Sequence, residues 1–489
     1  MGRVRQRHRP RARVRIGAPD ASLTPNAGMV AVSELVERLD VIRLLDAAIG
    51  PIKQRRRGHT GGQLLVGLAG AQLAGEEFWV GLDRQRDDTV GQELAPVAGL
   101  ASRTAAGLAQ RFTPGQRRAV ETGLGDVAAG ALTALETVAP ARAAALREDV
   151  TLDLDTTDVE VYGRRKQGVA FNHQGQRVGR PHVASWAETA TVLAADLGDG
   201  RDDPRSSAPE LLARALAALP TEVRAGRIRL RADAGYFAGS LARAAFEAGV
   251  EFAIGAKRIA PLWRLLDSVP ADAWTDAIDM PGAQVAVAAY SPDWWPTSTR
   301  LLIRRVRLDV AAGQVSTDVR SRRRRTLHPD QRALPLDKLA DADAVHAYSF
   351  IVTNLDVSTG ERAAAVEHWY RHRTGIENIF RDTKHGAALR HLPSGQSALN
   401  WAWMWGALLA GTLAGWLHQL TARPERRGRL RGHGVRGGAA MIATLRRRLI
   451  RVPARLVRHA GALTLRLPPG HDLLAEVLTR IRALPMPTR

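Results

Sequence analysis

At Val150 the hydrophobic period of this 489-residue chain changes. From Val30 to about 145, apolar residues such as Val32, Leu35, Val36, Leu39, Val41 and Leu44 recur at helical spacing. From Val150 onward, Val150, Leu152 and Leu154 alternate with Thr151, Asp153 and Asp155, which predicts a strand with one acidic face. A second strand-like run covers 182–197, and a helical pattern follows at 209–219. Ile228, Leu230 and Ala232 then alternate up to Asp233, and a helix at 240–248 leads to the short strand Glu251-Phe252-Ala253-Ile254. Strands taking turns with helices in this order define an α/β core, placed in mid-chain behind a helical region.

The rhythm is interrupted between 257 and 362. This stretch holds Trp263, Trp274, Trp294 and Trp295, the arginine run 320–325, and strand-like pieces at 284–289, 301–308 and 348–355, so a mostly β insertion is expected. The organisation read from the chain is an Arg-rich arm (1–20) and a helical N-terminal DNA-binding region (21–145). The first part of the core (146–256), the β-rich insertion (257–362), the second part of the core (363–420) and a basic C-terminal region (421–489) follow. Ala101–Ala106 offers a possible opening for a helix-turn-helix reading helix, although Ala-rich helices are common.

Charge narrows the partners. Lys and Arg number 70 against 49 Asp and Glu, a net charge of +21 with pI about 11.3, and only five of the cations are Lys. Guanidinium grips phosphate oxygens bidentately, so double-stranded DNA is favoured; on charge alone, RNA or a membrane surface would serve equally. With no cysteine, disulfides, Cys-ligated zinc and thiol catalysis are excluded, which fits a cytoplasmic protein. The arginines between Arg3 and Arg15 are not followed by an apolar run, so the start does not read as a secretory signal. Trp401–Leu417 is uncharged and apolar, but it is short, carries Gly406, Gly411 and Gly415, and follows a charged helix. A buried core helix is expected there, not a membrane span.

The chemistry concentrates in 370–384. Tyr370, Arg373, Glu377 and Lys384 fall at about 0°, 300°, 340° and 320° around a continuous helix, one narrow face. A carboxylate flanked by two cations and a phenol suits a metal held against a phosphate backbone; a solvated basic helix face is the plain alternative. The spacing Y-x-x-R-x-x-x-E-x-x-x-x-x-x-K resembles the acidic-triad (DDE) transposases of bacterial insertion sequences, in the group with this Tyr-Arg-Glu-Lys signature and a β insertion before the Glu.

That resemblance runs from about Val150 to Leu417 and implies a ribonuclease-H-like catalytic core. Two-metal phosphodiester cleavage needs carboxylates converging on two divalent cations about 4 Å apart. Asp155, in Leu154-Asp155-Thr156-Thr157, and Asp233, in Ala232-Asp233-Ala234-Gly235, stand at strand ends, and Glu377 stands on the helix stripe. By resemblance these three are the catalytic and metal-binding acids for two Mg²⁺ ions, with Mn²⁺ as substitute. Asp153, on the same strand face, is the alternative first ligand; Asp158 points to the other face. Some relatives continue the second aspartate as Asp-Arg-Glu, where this chain has Asp-Ala-Gly. Also by resemblance, Tyr370, Arg373 and Lys384 contact phosphates of the transposon end. Where relatives excise through a DNA hairpin, an aromatic of the insertion holds a flipped base. Trp294 and Trp295, between Pro292 and Pro296, are the candidates for that role, unless both belong to the core of the insertion.

The expected activity is cleavage at terminal inverted repeats and joining of 3′-OH ends to target DNA, by a homodimer once DNA is bound. The competing class is a transposase-derived DNA-binding protein without activity. A tyrosine recombinase is excluded because no tyrosine follows Tyr370 to act as nucleophile, and no G-x-x-x-x-G-K-[ST] supports an ATP-driven motor.

Overall fold

In the computed structural model, which describes residues 14–55, 57–308, 326–330, 345–424 and 430–487, the alternation at Val150 becomes strand β2 (Asp149–Thr156). Val150, Leu152 and Leu154 are buried on one face, and Thr151 and Asp153 are buried on the other. A strand covered on both sides belongs at the centre of a sheet, and β2 lies there. Its neighbours are β5 (Arg177–Trp186), antiparallel, and β7 (Arg227–Ala232), parallel. Beyond β5 runs β6 (Thr191–Asp199), antiparallel, and beyond β7 runs β8 (Glu251–Ala256), parallel. The order is therefore β6-β5-β2-β7-β8. Short pieces β3 (Val159–Glu160) and β4 (Ala170–Phe171) pair with the start of β5, which overhangs the carboxyl end of β2.

The residues of the expected insertion continue this same sheet. β12 (Val345–Thr353) pairs antiparallel with β8, followed by β11 (Arg300–Leu308), β10 (Ala283–Ala289) and β9 (Thr275–Asp276), giving a mixed sheet of 11 strands. The arginine run 320–325 and most of the Arg-rich arm lie outside the described residues.

The helical N-terminal region builds one side of the molecule: α1 (Met29–Arg38), α2 (Val41–Ile49), α3 (Gly61–Ala74), α4 (Ser102–Ala109) and α5 (Pro114–Val138). Local sequence explains two of the starts. Thr60 with Gln63, and Thr113 with Gln116, form reciprocal capping boxes, and Pro114 occupies the first turn where its missing N–H is harmless. The possible reading helix at 101–106 is α4. Its Ser102 hydroxyl donates to Asp83, and Ala105, Leu108 and Ala109 are buried.

Parallel strands need crossovers, which α6 (Pro204–Ala218) and α7 (Gly239–Glu247) supply for β7 and β8. The chain then forms α8 (Gly360–Arg371), α9 (Thr374–Gly386) and α10 (Ser397–Thr421). As expected, the apolar stretch 401–417 is a core helix: Trp403, Trp405 and Trp416 are fully buried. Among the described residues no helix is long and apolar enough to cross a membrane. α10 lies against α3 at Gly406, where a Cβ would stand 2.6 Å from Gln72 Oε1 and 2.8 Å from Leu68 Cβ. Gln72 Nε2 donates to the Trp403 carbonyl across the same contact at 3.1 Å.

The basic C-terminal region folds back on the N-terminal one. β13 (Arg423–Pro424) and β14 (Leu430–Arg431) form a small ladder. The hairpin of β15 (Ala454–His459) and β16 (Ala462–Arg466) pairs with β1 (Leu23–Thr24), and α11 (Asp472–Arg482) packs on α1.

Candidate active site

The β2–β7 register pairs Leu154 with Ala232, so Asp155 and Asp233 are the next residues on two adjacent parallel strands. Strands lie about 4.8 Å apart, which sets the two acids side by side at the carboxyl edge of the sheet. Each carboxylate is held by a backbone amide: Thr156 N donates to Asp155 Oδ1 at 2.8 Å, and Gly235 N donates to Asp233 Oδ1 at 2.8 Å. The second bond caps a 3₁₀ turn that buries Tyr236 against His182, ring centroids 5.5 Å apart. Burial pushes the Asp155 carboxyl up to about 6; the Arg373 guanidinium pulls it back, and the charge of Asp233 adds to the rise.

The third acid comes from α9. Arg373 bridges two carboxylates, with Nη1 3.1 Å from Asp155 Oδ2 and Nη2 3.1 Å from Glu377 Oε1. Glu377 is half exposed and reaches Asp155 through this guanidinium, not directly. Among the described residues no three His, Asp or Glu side chains stand close enough together to enclose a metal ion. Lys384 Nζ donates to the Asp158 carbonyl at 2.8 Å, on the link that leaves β2.

The single helical stripe expected for Tyr370, Arg373, Glu377 and Lys384 is divided. Tyr370 lies in the last turn of α8, whereas Glu377 and Lys384 belong to α9. Between them the amides of His372 and Arg373 bond three residues back, to Trp369 and Tyr370, tightening the turn. Thr374 and Gly375 then open α9. Tyr370 is turned into the protein: its hydroxyl donates to the Ala232 carbonyl at 3.1 Å, and burial raises its phenol to about 12. In this arrangement it holds α8 on the end of β7.

Asp153 is occupied elsewhere. Arg231 grips it bidentately, Nε to Oδ1 at 2.7 Å and Nη2 to Oδ2 at 2.8 Å, and Arg231 Nη1 donates to the Trp369 carbonyl at 2.7 Å. Trp369 Nε1 in turn donates to Thr151 Oγ1 at 3.2 Å, with the Arg229 and Arg231 guanidiniums 4.6 and 5.2 Å from its ring. This network ties β2, β7 and α8 together directly beneath Asp155 and Asp233. Sequence reasoning missed it; the one available signal was the alternation of Arg229 and Arg231 with Ile228, Leu230 and Ala232. Asp158 is likewise engaged, with Arg180 Nε at 2.7 Å and Asn172 Nδ2 at 2.8 Å.

The tryptophan pair separates. Trp294 is 61% exposed, and its carbonyl accepts from Arg243 on α7. Trp295 is 4% exposed and packs among Phe237, Tyr290 and Phe252, with ring centroids 5.3, 5.9 and 6.4 Å away. It is a core residue, which removes it as a stacking platform for a base.

With two acids side by side at the sheet edge and a third joined to Asp155 through an arginine, the comparison with known families is direct. Residues 7–327 and 338–486 match the model of the Transposase DDE domain group 1 family, and the chain belongs to that family. It is thus a transposase of the DDE class, a DNA-binding protein of transposition and recombination, from a family with nuclease and transferase activity that uses divalent metals. Among solved structures it is similar to a piggyBac transposase synaptic complex with hairpin DNA, at 10% identity and TM-score 0.38, over 81% of this chain and 76% of that one. No curated protein matches the chain.

Proposed function

We propose that this transposase cleaves DNA at the terminal inverted repeats of an insertion sequence and joins the 3′-OH ends to target DNA on a ribonuclease-H-like core. The observation that carries the reading is the placement of Asp155 and Asp233 each one residue past the paired Leu154 and Ala232 of neighbouring parallel strands, with Glu377 one guanidinium away from Asp155. The donor set suits a hard divalent cation: carboxylate oxygens only, with the Asp155 pKa raised to about 6 mainly by burial and further by the charge of Asp233. Asp155, Asp233 and Glu377 would hold Mg²⁺, or Mn²⁺ in its place, and the bound ions would polarise the scissile phosphate and activate the attacking hydroxyl. Arg373 meanwhile supplies the positive charge between Asp155 and Glu377. Turned outward it would face a DNA phosphate, freeing both carboxylates, and the half-exposed Glu377 side chain has room to move inward. Two ends must be cut in concert, which calls for a homodimer on DNA, in the cytoplasm with the nucleoid.

A second reading, a DNA-binding protein without activity, is favoured by the lack, among the described residues, of three acids close enough together to enclose a metal ion. One experiment separates them. Duplexes taken from the borders of the gene are incubated with Mg²⁺. Wild type should nick at the repeat end, and Asp155→Asn, Asp233→Asn and Glu377→Gln should each lose nicking by several orders of magnitude while keeping DNA affinity. Specific binding with no nicking by wild type would establish the second reading.

A further inference from the structure

The loop from β3 to β4 presents an aromatic and two arginines to solvent at the edge that carries the acids. Tyr162 is 87% exposed, and Arg164 and Arg165 are exposed with no ion-pair partner among the described residues. An exposed tyrosine alone needs no explanation. Here, however, the backbone beneath it is firmly held. Val161 N donates to the Arg177 carbonyl at 2.9 Å, Arg177 reaches the carbonyls of Gly163 and Lys166, Lys166 Nζ donates to Leu392, and Gln167 N donates to Gly395 at 2.9 Å. The loop is rigid at its base while its ring and two guanidiniums remain unused. Glu160 accepts from the Tyr162 hydroxyl at 3.3 Å and leaves the ring faces open.

Position gives this surface its meaning. Tyr162 lies seven residues after Asp155, and the link between them carries the carbonyl bound by Lys384. β3 pairs with the overhang of β5, past the carboxyl end of β2, so the loop stands on the same edge as Asp155 and Asp233. Resting on the proposed cleavage at those acids, we infer that Tyr162 stacks on an unpaired base beside the cut while Arg164 and Arg165 hold the phosphates on either side of it. A planar ring with open faces accepts any base once it leaves the helix, and paired guanidiniums follow a strand without reading its sequence.

The test is equilibrium binding without divalent cation, so that no strand is cut, over a series of salt concentrations. Two probes are used: a border duplex, and the same duplex with the nucleotides at the repeat end left unpaired. Wild type should prefer the unpaired probe. Tyr162→Ala should abolish most of that preference, a loss of roughly tenfold or more, and Tyr162→Phe should retain it. Arg164→Ala with Arg165→Ala should weaken both probes alike and flatten the log–log salt slope by about 0.9 for each phosphate no longer neutralised. All these side chains are exposed, so melting temperatures should not change. Equal preference in Tyr162→Ala and wild type, or an unchanged slope in the arginine variant, overturns the inference and leaves the cleavage reading standing. Failure of wild type to bind border DNA better than an unrelated duplex overturns both.

Discussion

Asp153 and Asp155 are both buried beside a guanidinium, but Arg231 holds Asp153 with two hydrogen bonds, whereas Arg373 gives Asp155 one and Asp233 adds a like charge. Burial raises the Asp153 carboxyl, and two hydrogen bonds from Arg231 offset part of that rise. Asp153→Asn leaves Arg231 buried without its counter-charge and should destabilise the protein by about 3–5 kcal/mol. Asp155, at about 6 against an ordinary 3.8, has a folded pKa above its unfolded one. Its charge therefore costs nothing below about pH 4, an increasing amount between 4 and 6, and a constant amount above, on the order of 3 kcal/mol. Asp155→Asn should raise the melting temperature by a few degrees at pH 7 and not at pH 4. Glu121 and Asp382 titrate nearby, at about 8 and about 6, so the difference between variant and wild type is the quantity to follow. A stabilised Asp153→Asn with a destabilised Asp155→Asn would exchange the roles assigned to the two acids. Alternation alone put both on one face and could not tell them apart, because the partner of Asp153 arrives on a strand 78 residues later in the chain.

At the scale of elements, the strands were legible wherever their pattern was local. The pieces expected at 284–289, 301–308 and 348–355 correspond to β10, β11 and β12 with shifts at their ends. Their continuation of the core sheet was not legible, because the pairing of β12 with β8 is set by long-range register. The helix stripe was legible in residue type and spacing but not in continuity. A constant angle per residue carries through the tightened turn at His372–Arg373, where the real helix does not. The tryptophan pair shows the same limit, since two adjacent residues on a loop have no period to reveal which one turns inward. Trp295→Ala should cost about 3–5 kcal/mol by emptying a packed aromatic cluster, while Trp294→Ala should change the melting temperature little. If hairpin formation is measured, only Trp294→Ala is expected to affect it; equal destabilisation by both variants would place Trp294 in the core as well.

Across the whole molecule, the excess of arginine acts as a field before any single contact forms. Affinity for DNA should fall steeply with salt, each neutralised phosphate contributing about −0.9 to the log–log slope. Deleting residues 1–16, with seven of the arginines, should flatten that slope if the arm lies along the backbone; an unchanged slope would place it elsewhere. The terminal regions carry one more consequence. Leu23 pairs with Arg455, and Arg482 binds Glu34 at 2.5 Å. During synthesis β1 therefore waits until Arg455 has been made, roughly 20 to 90 seconds at about 5–20 residues per second. Until the β15–β16 hairpin has left the ribosome, the seam that joins it to β1 stays open. Products that stop early leave β1 and α1 without the surfaces they dock on.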